Sequence, residues 1–311
     1  MKIIFMGTPD FAVPSLEMLM NEGYEVLAVV TQPDKPKGRG NKMAAPPVKE
    51  FALKNNISVL QPEKIKTPEF IEQIRALGPD LLITAAYGRI LSGELLKVPV
   101  YGCINVHGSL LPEYRGAAPI NWAVINGETK TGITTMFTDV GLDTGDMLLK
   151  RELEIGPDTT VGELHDKMAL LGAQVLKDTL SELKNGALKR IPQEDSKSSY
   201  APMMNRELGR IDWNKTAGEI HNLVRGTDPW PGAYTFLNGE RMRVWKTKLI
   251  QEKGSGHTPG KIVKIDSEGI LVKCSDDCIL IKEVQFDSSK RMSVGDYIRG
   301  HQINMGEILG E

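Results

Sequence analysis

Several patterns that settle the class of many proteins are missing from this chain. No apolar run of about 18 residues occurs among its 311 residues, so no membrane-spanning helix is expected. Only three cysteines occur, Cys103, Cys274 and Cys278. An odd, sparse set argues against a disulfide framework and fits a reducing compartment. Cys274 and Cys278 lack the further ligands a zinc site needs nearby, so all three read as buried thiols and no metal is expected. A basic excess is absent too, since the formal net charge is -2. Any polyanionic partner must therefore meet a local patch. The start, Met-Lys-Ile-Ile-Phe, lacks the basic head and cleavage site of a signal peptide, so a cytoplasmic location is expected.

Three chemical fingerprints are missing as well. Gly7-Thr8-Pro9 follows the first apolar run where a dinucleotide enzyme carries Gly-x-Gly-x-x-Gly, and Thr31 stands where an acid would hold the ribose. No phosphate-loop motif occurs. Ser109 has no Gly-x-Ser-x-Gly elbow around it, which disfavours a serine nucleophile.

What is present reads as an α/β protein. Lys2–Met6 is a buried strand, Phe11–Asn21 a helix and Val26–Thr31 a second strand, the β-α-β unit of a parallel sheet. Residues 32–49 interrupt it with four prolines, two glycines and five basic residues against one acid. The segment is expected to be a long flexible loop leading to a helix from Pro47. Strands are expected at Asp80–Thr84, Cys103–Val106, Thr131–Phe137 and Asp146–Glu152, and a long amphipathic helix at Val161–Lys184. Residues 190–208 are polar and turn-rich and read as a linker. A helix over Asn214–Val224 follows, capped by Thr216 or Asp212. After Pro231 come short runs separated by turns such as Asn238-Gly239, the pattern of a small antiparallel barrel. The expected domains are 1–189, with 32–49 as an insertion, and 209–311.

Asn105 and His107 flank one apolar residue at the end of a strand, so both side chains point to one side. In a parallel sheet, ligands bind beyond the carboxyl ends of the strands. An Asn donates to an oxygen that is becoming negative. A His carries protons near neutral pH, and an Asp can orient it and balance its charge. Asp143, in the turn-rich stretch Asp139–Asp146, is the candidate partner. Alone, an Asn-x-His is more often a strand-end cap, and an Asp in such a turn more often holds only that turn. His165, His221, His257 and His301 have no companions of this kind and read as structural or solvated.

On these residues the sequence resembles the bacterial methionyl-tRNA formyltransferases, over essentially the whole chain. The resemblance rests on Ile3–Ala12, on Thr31–Pro36 running into Gly38-Arg39-Gly40, and on Tyr87-Gly88-Arg89-Ile90. It continues through Asn105–Pro112, Tyr114–Ile120, Asp143–Asp146, and Tyr200-Ala201-Pro202 ahead of Ile211-Asp212-Trp213. Asn-x-His with a distant Leu-Asp-Thr-Gly marks folate-dependent formyltransferases more widely.

The resemblance implies a Rossmann-like catalytic domain followed by an OB-like barrel. It implies transfer of the formyl group of 10-formyltetrahydrofolate to the amino group of methionyl initiator tRNA, with Asn105, His107 and Asp143 as the catalytic trio. It assigns the folate to Arg89, Ile90, Ser109, Leu110, Leu111, Pro112, Asp139, Val140, Gly141 and Leu142. Lys35, Lys37, Arg39 and Lys42 would meet the acceptor arm of the tRNA, and the C-terminal domain its body. A monomer is expected. Glu113-Tyr114 departs from the family's common Arg-Trp, turning one positive charge near the site negative. The C-terminal domain, with 15 basic against 14 acidic residues, is less basic than the family's. The alternative is a folate-dependent formyltransferase acting on a small amine such as an amino-sugar nucleotide.

Overall fold

A computed structural model describes residues 1–37, 42–250, 258–287 and 289–310. The chain divides into two compact units. One comprises Met1–Pro119, Lys130–Glu154 and His165–Pro202, and the other Ile120–Thr129, Ile155–Leu164 and Met203–Glu311.

The first unit is built on strands β1 (Lys2–Gly7), β2 (Glu25–Val30), β3 (Lys35–Lys37), β4 (Lys42–Ala44), β5 (Val59–Leu60), β6 (Leu81–Ala85), β7 (Cys103–His107), β8 (Arg115–Gly116), β9 (Lys130–Phe137), β10 (Met147–Glu154) and β11 (Tyr200–Ala201). Seven of them form one sheet in the order β10-β9-β7-β6-β1-β2-β5. The five from β7 to β5 run parallel; β9 is antiparallel to β7, and β10 to β9. The continuous apolar runs explain the parallel core. Ile3–Met6 on β1 and Leu81–Ile83 on β6 are fully buried, as strands covered on both faces must be.

Helices α1 (Val13–Asn21), α2 (Pro47–Lys54), α3 (Pro68–Leu77) and α4 (Gly93–Leu96) belong to this unit. Thr67 caps α3 by accepting from the Phe70 N–H, and Pro68 occupies its first turn, where a missing N–H costs nothing. Its apolar stripe, Phe70, Ile71 and Ile74, packs with Ile4, Met6 and Leu82. Helices α5 (Pro119–Ile125) and α6 (Val161–Lys184) come next in the chain.

The basic segment differs from the loop expected. β3 and β4 pair antiparallel, with Lys35 opposite Ala44 and Lys37 opposite Lys42. Its base is tied down through its one acid. Lys49 donates to both oxygens of Asp34 at 2.8 Å, and Gln61 to one of them at 2.8 Å. Those hydrogen bonds, Lys49's foremost, hold the Asp34 carboxyl below its usual range.

In the second unit, α7 (Ala217–Thr227) starts at a capping box between Thr216 and Glu219, which satisfies two orphan N–H groups reciprocally. The strands are β12 (Ala233–Leu237), β13 (Glu240–Ile250), β14 (Ile262–Asp266), β15 (Gly269–Lys273), β16 (Cys278–Phe286) and β17 (Met292–Ser293), followed by the short α8 (Val294–Tyr297). They form an antiparallel sheet in the order β12-β13-β16-β15-β14, with β17 on β16. Among the described residues no ladder joins β12 to β14, so the sheet is open along this path.

No helix among the described residues is long and apolar enough to cross a membrane. All three cysteines are buried, and none of them is in a disulfide. Burial pushes the Cys103 thiol up to about 11 and the Cys274 thiol to about 12. At pH 8 the folded protein is therefore expected to leave all three thiols unreacted with Ellman's reagent and to titrate them only in guanidinium. A fast-reacting native thiol would contradict this burial.

Candidate active site

The site begins where β7 ends. Alternation along the strand buries Val106 and sends Asn105 and His107 to one face. β6 and β9 flank β7, placing Thr84 beside Asn105 and Thr134 beside His107. The Thr84 hydroxyl donates to Asn105 Oδ1 at 2.9 Å. With its oxygen so occupied, the Asn105 amide offers its N–H groups.

His107 is buried, and both ring nitrogens face partners. Nε2 lies 3.0 Å from the Tyr114 carbonyl oxygen. A carbonyl only accepts, so Nε2 carries the hydrogen. Nδ1 lies 3.7 Å from Asp143 Oδ2, which is a charge contact and too long for a hydrogen bond. A proton taken up at Nδ1 sits beside that carboxylate.

The connection from His107 to Tyr114 is pinned from β9. Thr134 Oγ1 donates to the Ser109 carbonyl at 2.7 Å and accepts from the Leu111 N–H at 3.1 Å. The Ser109 hydroxyl turns inward to the Glu113 carbonyl at 2.6 Å. Lys150 donates to the Leu111 carbonyl. Burial lowers the Lys150 pKa and the charge of Glu113 opposes that shift. Tyr114 itself takes a left-handed backbone, φ 58°.

Asp143 also sits in the left-handed region, at φ 53°, a conformation Asp tolerates better than most residues. Its Oδ2 accepts from the Gly116 N–H at 2.9 Å. The amide of Gln193 donates to the Asp143 and Gly145 carbonyls at 2.8 and 2.7 Å. Gly145 is there because nothing larger fits: a Cβ would stand 1.9 Å from the Phe137 carbonyl oxygen.

The residues assigned to the folate by resemblance fall into two groups. Arg89 points away to the Pro62 and Glu63 carbonyls, at 3.3 and 2.7 Å. Asp139 spends its carboxylate on its own turn, accepting from the Gly141 N–H at 3.0 Å and the Thr144 hydroxyl at 2.7 Å. Ser109 and Leu111 are wholly buried, and Leu110 and Pro112 partly so. Against these, Ile90, Val140 and Leu142 expose apolar surface, at 50%, 69% and 42%. The loop carrying Val140 touches the segment after Ile90, since a Cβ on Gly93 would meet Val140 at 3.4 Å. These exposed apolar groups suit a flat aromatic ring.

Of the basic residues, Lys35 is exposed and donates to Gln32 Oε1 at 2.9 Å. Lys37 and Lys42 lie on the paired strands of the insertion, and Arg39 falls outside the described residues. No group of His, Cys, Asp and Glu among the described residues is arranged to hold a metal ion.

Residues 1–180 match the family described as formyl transferase, and residues 203–302 its C-terminal domain. A methionyl-tRNA formyltransferase of Ruminiclostridium cellulolyticum is 72% identical over 312 residues, covering 100% of both chains. The chain belongs to the methionyl-tRNA formyltransferase family. A second member, from Acetivibrio thermocellus, is 62% identical over 311 residues, again with 100% of both covered. The structure of an N-formyltransferase from Helicobacter canadensis, bound to folinic acid and an amino-sugar nucleotide, is similar in fold. It gives a TM-score of 0.67 at 21% identity over 90% of this chain and 98% of that one.

Four groups at the site escaped the sequence reading. Thr84 left a trace, as a polar residue in an apolar strand. The Tyr114 carbonyl and Gly116 N–H are backbone groups and leave none. Gln193 stands 50 residues from Asp143 in a polar stretch where no pattern marks it. If the Asp143 turn is as tightly packed as this, Gly145→Ala costs about 2–4 kcal/mol, measured as a lowered urea midpoint. An unchanged midpoint would mean the turn relaxes freely.

Proposed function

We propose that this chain transfers the formyl group of 10-formyltetrahydrofolate to the α-amino group of methionyl initiator tRNA. One observation carries the reading: Asn105, His107 and Asp143 converge at a strand end, in a chain similar along its full length to proteins named for that reaction. The folate supplies the formyl group, which passes from its N10 to the attacking amine.

The chain's own residues then have distinct work. The Asn105 amide, turned donor-outward by Thr84, donates to the formyl oxygen as it gains negative charge. His107 holds one hydrogen permanently at Nε2 and takes or gives the mobile proton at Nδ1. Asp143 faces that nitrogen and balances its charge. Ile90, Val140 and Leu142 offer apolar surface to the pterin ring, while backbone groups of 139–142 supply polar recognition. Residues 1–189 carry this chemistry, and 209–311 the contact with the tRNA body.

Two features support a tRNA acceptor. The insertion carries four cations in its sequence, Lys35, Lys37, Arg39 and Lys42, the residue types that contact phosphates. In the second unit, Arg241 and Arg210 lie over the half-buried Tyr234 and Phe236, at 4.0 and 5.9 Å. Arginines interleaved with aromatic rings suit nucleic acid, and they support reading the open sheet as an OB-like module. We read the protein as a monomer in the cytoplasm.

Labelled formyl is expected on methionyl initiator tRNA, and neither on elongator methionyl-tRNA nor on amino-sugar nucleotides. Transfer to the sugar alone would refute the reading. Asn105→Ala and His107→Ala are each expected to lower kcat by about 100- to 1,000-fold with tRNA binding retained, as filter binding would report.

Replacing Lys35, Lys37, Arg39 and Lys42 together by Ala should flatten the dependence of log kcat/KM for tRNA on log salt. Every phosphate that these cations neutralise in the parent adds about 0.7–0.9 to that slope. Equal slopes in the parent and the variant would remove the insertion from the tRNA interface.

A further inference from the structure

We infer that Gln193 is a positioning residue for Asp143, and that residues 191–201 brace both groups that face His107. The inference rests on the formyl-transfer reading above and adds residues to that same site.

The first line of contact reaches Asp143. Gln193 Nε2 donates to the carbonyls of Asp143 and Gly145 at 2.8 and 2.7 Å, tying the peptide groups that follow Asp143 and Gly145. Gln193 Oε1 accepts from Arg115 Nε at 3.0 Å, and Arg115 Nη2 pairs with Asp195 at 2.8 Å. One side chain thus links the turn that carries Asp143 to the strand whose Gly116 N–H holds the Asp143 carboxylate. Both ends of Asp143 are thereby held, its backbone by Gln193 and its carboxylate by β8.

The second line reaches the other nitrogen of His107. Tyr114, whose carbonyl accepts from Nε2, has its N–H held by the Ser199 hydroxyl at 2.8 Å. The Arg115 N–H donates to the Ser199 carbonyl at 2.9 Å, and β11 pairs in parallel with β8. At the start of the segment, Ile191 exchanges two 2.9 Å hydrogen bonds with Met147, at the foot of β10. Residues 191–201 are therefore stitched to the site at both ends and in the middle.

A left-handed Asp does not hold its conformation by itself. The turn at 141–145 has its own tie through Asp139 and Thr144, but that tie is made by the Thr144 side chain and leaves the Asp143 carbonyl to Gln193. Gln193 is the side chain that fixes the peptide groups following Asp143. It acts through Asp143 and touches no reacting atom.

Gln193→Glu is the informative variant. It keeps the shape and the acceptor for Arg115, and it removes both donors; Gln193→Ala serves as a second test. Hydrogen exchange read by mass spectrometry should run about tenfold faster across 141–146 and at Gly116 in both variants, and stay unchanged in the second unit. kcat should fall about 10- to 100-fold with the KM for the folate donor within about threefold. In an Asp143→Asn background, Gln193→Glu should add less than about twofold, because residues that act through one another are not additive.

Unchanged exchange across 141–146 would overturn the inference whatever the activity does. A fall in kcat matched by an equal rise in folate KM would also overturn it, as would full additivity with Asp143→Asn. If neither variant folds, Gln193 is a residue of the fold and the inference is likewise lost. A parent protein that transfers no formyl would count against the formyl-transfer reading alone, since the exchange data judge the brace independently.

Discussion

A buried imidazole has two nitrogens, and each needs an answer. The structure meets that requirement at His107 with a backbone carbonyl on one side and a carboxylate on the other. The rest of the site follows from it. A carbonyl at Nε2 removes any choice of tautomer, so the only position where a proton comes and goes is Nδ1. To aim that carbonyl, Tyr114 must adopt a left-handed backbone, and the residues before it must loop back over the strand end. Thr134, Ser109 and Lys150 fasten that loop, and all three fasten it through backbone carbonyls or N–H groups. The loop's conformation is thus specified by two side chains from β9 and β10 and by one of its own turned inward.

Lys150 bears on the acidic residue next to the site. Glu113 follows directly on the loop that carries Ser109 to Pro112. Lys150 reaches over Leu111, and the charge of Glu113 opposes the desolvation of its ammonium. The negative charge at 113 therefore has a cation already at hand within the catalytic unit. That limits how far Glu113 repels an incoming phosphate, and it gives the same lysine two tasks: holding the loop and balancing its charge.

The parts of this arrangement that are legible in sequence are those that depend on local pattern. The apolar runs at 3–6 and 81–83 announce buried parallel strands, and the two-residue spacing of Asn105 and His107 places them on one face. Thr216, one of the two caps the sequence offers, starts the helix it announces. What was not legible depends on register or on the backbone. Thr84 matters only because β6 and β7 pair in a register that puts it beside Asn105. The Tyr114 carbonyl has no side-chain signature at all. Gln193 acts across 50 residues, and the polarity that makes it useful also made its surroundings read as a linker. The insertion misled for a related reason: proline and glycine argue for a loop, yet the short strands Lys35–Lys37 and Lys42–Ala44 suffice to pair. In the second unit the turns reveal antiparallel strands, whereas closure depends on how far the outer strands shear, which no run of residues encodes.

The near-neutral charge of the chain then becomes informative about how it would hold a nucleic acid. With a net charge of -2 there is no long-range field to gather a polyanion, so affinity has to come from local geometry. The insertion provides one such place. Lys49 pairs with its single acid at the base. In the second unit Arg241 and Arg210 lie over Tyr234 and Phe236, an arrangement in which stacking can supplement bulk charge. Local contacts of this kind discriminate by shape and register more than bulk charge does. This is the behaviour required of an enzyme that must act on one tRNA among many of equal charge.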